Sequence, residues 1–382
     1  MTRLSKEQLN ELKKKYNVDR IWSFSRVNAA QSCFWDYWAR YVKHLDIDGS
    51  SIYTEWGTNS HDLVQEFVAG DIDAKEAPVK WKEYIDKWEQ DPNAFQFDTK
   101  QIERGYLNNL KHYFSHLTTI KGTNIQNEKP VLARIGDKKQ FVFVGYIDTQ
   151  YTDEDGNTVL VDYKTSSKSS FSKAKLPEKS RQLMLYAIGK HQYNHIPYNK
   201  IKCRFDMMKY LTVHYRQENG KWNTSIQERA KWVSKMEKKL VTKLKKLDID
   251  QDNIEELIQI AIASNNLECM PKEIQEQFFT SNYYIEIPIN EELCDKVAQD
   301  IAADCTDIVD FEKMSSADQE AFLELNFPYI PNNYYDKKLC AYHRSQYFKD
   351  REATLDDMLK PENDEQINTL FEEDEIEEEI FS

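Results

Sequence analysis

FVFVGYIDTQYTDEDGNTVLVDYKT, residues 141–165, decides how the chain is read. Two apolar runs, 141–147 and 158–163, flank a turn of Asp153, Glu154, Asp155, Gly156 and Asn157. Asp-Gly between β-rich runs is a strong short-range signal for a hairpin. Asp148 closes the first run, and Asp162 and Lys164 lie two residues apart near the end of the second. Alternation along a strand puts Asp162 and Lys164 on one face. Gathering two carboxylates and a lysine at adjoining strand ends costs desolvation and repulsion, which a cation between the carboxylates offsets.

Outward from this hairpin, periodicity and capping signals predict helices over 5–16, 25–45, 54–69, 78–89 and 99–118. Ser25 reads as the N-cap of the second, whose Phe34, Trp35, Tyr37, Trp38 and Tyr41 read as core. Strands are expected at 130–135, 139–151, 157–164 and 200–215, with a helix at 178–192 between the last two. After Asn219-Gly220 a helical section is expected: a basic helix (227–247), an acidic-apolar one (253–263), a strand (283–288) and a helix (290–305). The pattern defines an α/β fold with a mixed, antiparallel-rich central sheet flanked by helices. A single domain is expected over 1–350, with its core at 23–215 and a helical C-terminal elaboration at 220–350.

The formal net charge of −14 is unevenly placed. Residues 351–382 hold 13 acidic and 2 basic side chains, so −11 belongs to this tail and −3 to the rest of the chain. The body is therefore no obstacle to binding a polyanion. The tail, ending FEEDEIEEEIFS, reads as disordered, either a solubilising end or a segment that docks a helicase or single-strand-binding protein. Six scattered cysteines without a CxxC pair suit reduced thiols, and no apolar run reaches transmembrane length. A cytoplasmic protein is expected, without a signal peptide or membrane anchor.

Asp148, Asp162 and Lys164 are the residue types that phosphodiester hydrolysis needs. Hard carboxylate oxygens hold Mg²⁺ or Mn²⁺, which acidifies a bound water and neutralises phosphate charge. A lysine orients the water or stabilises the transition state. A bare DxK is also what a surface ion pair at a strand end looks like, and Asp148 on the partner strand is what favours the chemistry.

GYID (145–148), VDYKT (161–165) and QLMLY (182–186) resemble the motifs of the PD-(D/E)XK nuclease superfamily, whose core is restriction-endonuclease-like. Within it they are similar to the RecB-like branch, which includes CRISPR-associated and phage exonucleases. The resemblance implies that Asp148 and Asp162 bind metal, that Lys164 is catalytic, and that Gln182 and Tyr186 line the site near the DNA backbone. The Tyr163 carbonyl is implied as a further ligand. Gly57 to His61 fits the GxxxH motif of that branch and implies His61 as a ligand, while Gln65 stands where the branch often has Glu, leaving Glu66 one residue late.

Many members of that branch hold an iron–sulfur cluster through one upstream Cys and three near the C-terminus. Cys33 and Cys340 fall in those neighbourhoods, but position 343 is His and no further Cys follows, so four-thiolate ligation is not available. A protein without the cluster is expected; the alternative is a mixed Cys33, Cys340 and His343 metal site.

The loop after the site is basic: Lys168, Lys173, Lys175, Lys179 and Arg181 are placed to grip phosphates. The expectation is a metal-dependent deoxyribonuclease, an exonuclease on DNA ends or single strands in recombination, repair or phage DNA metabolism. Its alternatives are a non-catalytic DNA- or protein-binding module and a structure-specific endonuclease. No P-loop occurs, so unwinding would come from another chain.

Overall fold

The computed structural model describes residues 3–247 and 249–358. The helix Gln346–Met358 enters the first part of the acidic tail, and the rest of that tail lies outside the described residues. The described chain divides into two compact units, residues 3–24 with 51–303, and residues 25–50 with 304–358.

The first unit is built on a six-stranded mixed sheet in the order β1 (Thr123–Ile135), β2 (Phe141–Thr152), β3 (Thr158–Lys164), β4 (Ile201–Arg216), β5 (Trp222–Glu228), with β6 (Phe278–Ile287) also on β4. β1, β2 and β3 run antiparallel in succession. The expected β2–β3 turn forms around Gly156 at φ +76°, and the Asp153 carboxylate accepts from the backbone of Asp155 and Asn157. Asp forms turns through this side-chain mimicry of a turn hydrogen bond, and Gly by accepting the positive φ. β3 and β4 are parallel, so the chain must cross over, and the helix Leu176–Asn194 does so.

Both faces of β3 are covered, which its unbroken apolar run anticipates. Val159, Val161 and Tyr163 join a core with the helices Ile52–Ala69, Glu76–Gln90 and Lys100–Phe114. At its centre Trp56 packs on Trp81 and Trp88, with ring centroids 4.9 and 5.8 Å apart. A second core forms where Leu211 and Val213 of β4 meet the helices Trp232–Leu244 and Gln251–Ser264.

The second unit has its own aromatic core, with Trp35 stacked flat on Tyr342 at 4.8 Å and Phe34 edge-on to Phe311. Cys33 Sγ lies 3.1 Å from Cys340 Sγ, and Asp36 accepts from the backbone N–H of Ala341 and Tyr342. These two thiols and one carboxylate gather within 4.8 Å, two thiolates short of a four-cysteine set. His343 is buried with Nδ1 on Asp336.

Three expectations are corrected. The helix expected at 25–45 is broken into Phe24–Ser32, Phe34–Tyr37 and a π-helical turn Trp38–Val42. Ser25 lies inside the first piece, and the break falls at Cys33, which is extended and accepts the Asp36 N–H on its sulfur. The basic helix is shorter than 227–247, because residues 222–228 form β5, paired to β4 through a turn at Gly220 with φ +77°. Tertiary pairing overrides the helical signal there. Among the described residues no helix is long and apolar enough to cross a membrane.

Removing Trp56 or Trp81 opens a large void in a fully buried cluster. Each change to Ala is expected to cost about 3–5 kcal/mol in urea denaturation. A loss under 1 kcal/mol, roughly a surface-like effect, would contradict this account of the core.

Candidate active site

The site starts where two strands part. The β2–β3 ladder runs from Thr152 opposite Thr158 to Thr149 opposite Val161 and stops. Asp148 and Asp162 are the next residues on each strand. Beyond the ladder's end the Tyr163 peptide has no strand partner on the β2 side, and side chains satisfy it instead. Its N–H donates to Asp148 Oδ2 at 3.2 Å, and its carbonyl accepts from His61 Nε2 at 2.7 Å. The other ring nitrogen of His61 lies 3.3 Å from Asp148 Oδ2. His61 is delivered by the helix Ile52–Ala69, which starts at a Ser51–Thr54 capping box.

Asp162 and Lys164 share a face of β3, as alternation requires, and Lys164 Nζ lies 2.6 Å from Asp162 Oδ1. The same ammonium stands 5.6 Å from the Phe205 ring centre on β4. Burial, and then the charge of Asp162, push Asp148 up to about 6, against the pull of His61 and Lys164. Burial by itself would lower Lys164, but the charge and hydrogen bond of Asp162 outweigh it and hold the ammonium above the usual lysine range. Lys164 is thus a fixed cation at neutral pH.

Tyr186 and Gln182 come from one face of the helix Leu176–Asn194. Gln182 Nε2 donates to the Tyr186 hydroxyl at 2.9 Å. Burial, with Asp162 and Asp148 nearby, raises the phenol to about 12, so it stays neutral. Its ring lies against Gly145, where an added Cβ would sit 2.3 Å from Tyr186 Cε1. The glycine of GYID is therefore a space requirement for Tyr186. The motif was visible in sequence, but this job was not, because its partner is forty-one residues away.

The structure thus brings together His61, Asp148, Asp162, the Tyr163 carbonyl and Lys164, with Gln182 and Tyr186 beside them. Lys168, Lys173, Lys175 and Lys179 are exposed, whereas Arg181 is buried. Glu66 is held by Lys80 at 2.6 Å, and Gln65 bonds Glu128. Asp148, the Tyr163 carbonyl and His61 are linked through shared hydrogen bonds and Asp162 pairs with Lys164; carboxylates, a peptide carbonyl and an imidazole are donor types that suit a divalent cation.

A mixed sheet with this cluster at the end of its central hairpin defines a phosphodiester-cleaving hydrolase of the nuclease class. The family model of the PD-(D/E)XK nuclease superfamily matches residues 21–276, and the chain belongs to that superfamily. Nucleases of this superfamily typically use divalent metals. No curated protein matches the chain.

Two outcomes follow from the geometry. The folded-state pKa of Asp148 is raised, so its contribution to stability is full below its ordinary value of 3.8 and is lost as pH rises through about 6. In metal-free buffer, Asp148→Asn should lose less stability than wild type between pH 4 and 7, by up to about 3 kcal/mol. Parallel stability–pH curves would refute this. Gly145→Ala should displace Tyr186 and destabilise the fold by about 1–3 kcal/mol. Tyr186→Phe would not relieve that clash, whereas Tyr186→Ala in the same chain would, which melting of the double variant checks.

Proposed function

We propose that the chain is a divalent-metal-dependent deoxyribonuclease of the RecB-like branch. It would act as an exonuclease on DNA ends or single strands, in recombination, repair or phage DNA metabolism. The observation that supports this reading best is the single hydrogen-bonded cluster of Asp148, the Tyr163 carbonyl and His61, with the Asp162–Lys164 pair next to it.

In this mechanism Asp148, Asp162, the Tyr163 carbonyl and His61 would hold Mg²⁺ or Mn²⁺. When bound, the ion supplies an acidified water and charge neutralisation at the phosphate. Asp162 fixes the Lys164 ammonium, so Lys164 works as a positioned cation that offsets charge building on the phosphoryl oxygens, not as a proton acceptor. With Nε2 donating to the Tyr163 carbonyl, the Nδ1 of His61 is left facing Asp148, where imidazole and carboxylate would share the ion. The neutral Tyr186 phenol and Gln182 are donors for a non-bridging phosphate oxygen. Lys168, Lys173, Lys175 and Lys179 hold the backbone of the nucleic acid beyond it.

End-labelled linear and circular DNA, single- and double-stranded, tests the reading with Mg²⁺, Mn²⁺ or EDTA. Metal-dependent loss of linear but not circular substrate is expected. Lys164→Ala should lower the rate by about two to three orders of magnitude while the fold and DNA affinity remain. Asp148→Ala and Asp162→Ala should abolish cleavage. Circle cutting would make the enzyme an endonuclease, and binding without any cleavage would make it a nuclease-like binding module.

A further inference from the structure

β4 continues well past the site, and its register shows which face follows. Phe205 of β4 lies opposite Asp162 on β3 and opposite Ile285 on β6. Paired residues share a face, and alternation along β6 takes that face from Ile285 through Tyr283 to Ser281. Ser281 lies opposite Thr212, and Phe279 opposite His214. Between Asp206 and Leu211 the register shifts, with four residues of β4 facing one of β6. This bulge changes the parity of β4. Tyr210, Thr212, His214 and Arg216 consequently continue the face that bears Asp162 and Lys164, while Leu211 and Val213 turn to the opposite core.

That face is open and ringed with aromatic side chains at its far end. His214 stacks on Phe279 with centroids 4.2 Å apart and planes 5° apart, and Trp222 of β5 packs edge-on to Phe279 at 5.1 Å. Trp222 is 46% and Phe279 50% exposed, a large exposure for such rings. Beside and inward of the rings stand the small hydroxyl residues Thr212, Thr224 and Ser281, with Ile226 opposite Thr212.

Positive charge flanks the rings. The Arg216 guanidinium lies 5.7 Å from the Trp222 ring centre and, where the strand ends, also borders a groove of about 610 Å³ that opens beside Tyr215 on the other face, with Lys238, Lys239, Lys243 and Lys246. The acids nearby are Glu218 and Glu228, paired with Lys246 at 2.7 Å and Lys231 at 3.8 Å. At the near end, the Tyr210 hydroxyl accepts from the backbone N–H of Lys168, in the basic loop that follows Lys164. From Met207, opposite Lys164, to His214 the strand covers roughly 20 Å.

We propose that this face is a track for single-stranded nucleic acid, with bases stacked on Trp222, Phe279 and His214 and phosphates held by Arg216 at the tip and Lys168 at the near end. A cluster of exposed rings on an open sheet face, with a cation at each end and small polar residues beside it, is the chemistry of base stacking on an unpaired strand. A duplex keeps its base faces stacked on each other and has nothing to offer these rings. The proposal rests on the nuclease reading for the scissile phosphate lying at Lys164, and on the rings and cations for the rest. The strand would run from the cluster, past Tyr210, to the tip.

Fluorescence anisotropy of the full chain in EDTA, with labelled oligothymidylate and a duplex of equal length, tests the track without cleavage. Trp222→Ala with Phe279→Ala should weaken single-strand binding about tenfold or more and leave duplex binding within about twofold. Arg216→Ala with Lys168→Ala should lower the salt dependence of binding by roughly two counterions. Trp222→Phe keeps a ring and should keep most of the affinity, which separates stacking from misfolding. Equal single-strand affinity in wild type and the double-ring variant overturns the track, as does a wild type that binds only duplex. Cleavage that depends on Lys164 would still uphold the nuclease in either case. Strand binding lost with the rings but no cleavage under any condition would uphold the track and sink the nuclease.

Discussion

The end of the β2–β3 ladder is the constraint on which the rest depends. Strand pairing stops one residue short of Asp148 and Asp162, and the backbone groups it leaves free must find partners. Asp148 takes the Tyr163 N–H and His61 takes its carbonyl, so a structural need and a donor set for a cation coincide. A buried and a half-buried carboxylate beside one ammonium remain costly, as the raised pKa of Asp148 records. A site that is costly when empty is one in which a cation gains the most.

The helices around this point act as positioning devices. A capped helix brings His61 from one side of the sheet, and the crossover demanded by the parallel β3–β4 pair brings Tyr186 and Gln182 from the other. The approach of Tyr186 is possible only because position 145 has no Cβ. Packing thereby fixes the phenol within the field of both carboxylates, where burial keeps it neutral.

The β4 bulge has a comparable consequence over a longer range. Without a change of parity, Leu211 and Val213 would follow Phe205 onto the site's face, and the polar and aromatic row would fall into the core. The bulge allows one strand to serve two cores on one side and an open, ring-bearing surface on the other. The Asp162–Lys164 pair at one end of the sheet and the proposed strand track at the far end then share one face.

The sequence by itself determined the hairpin, the shared face of Asp162 and Lys164, the crossover helix and the order of the motifs, because turn chemistry and alternation are local. It also determined the types of side chain available for chemistry, which placed the chain in its family before any fold was seen. Only the tertiary structure decided that β5 is a strand, that the helix expected at 25–45 breaks at Cys33, and that Arg181 is buried. It alone joined His61 to the Tyr163 carbonyl, Gly145 to Tyr186, and Tyr210 to the loop of Lys168. Each of these depends on contacts between residues far apart in the chain, where space and unpaired backbone groups, rather than local propensity, set the outcome.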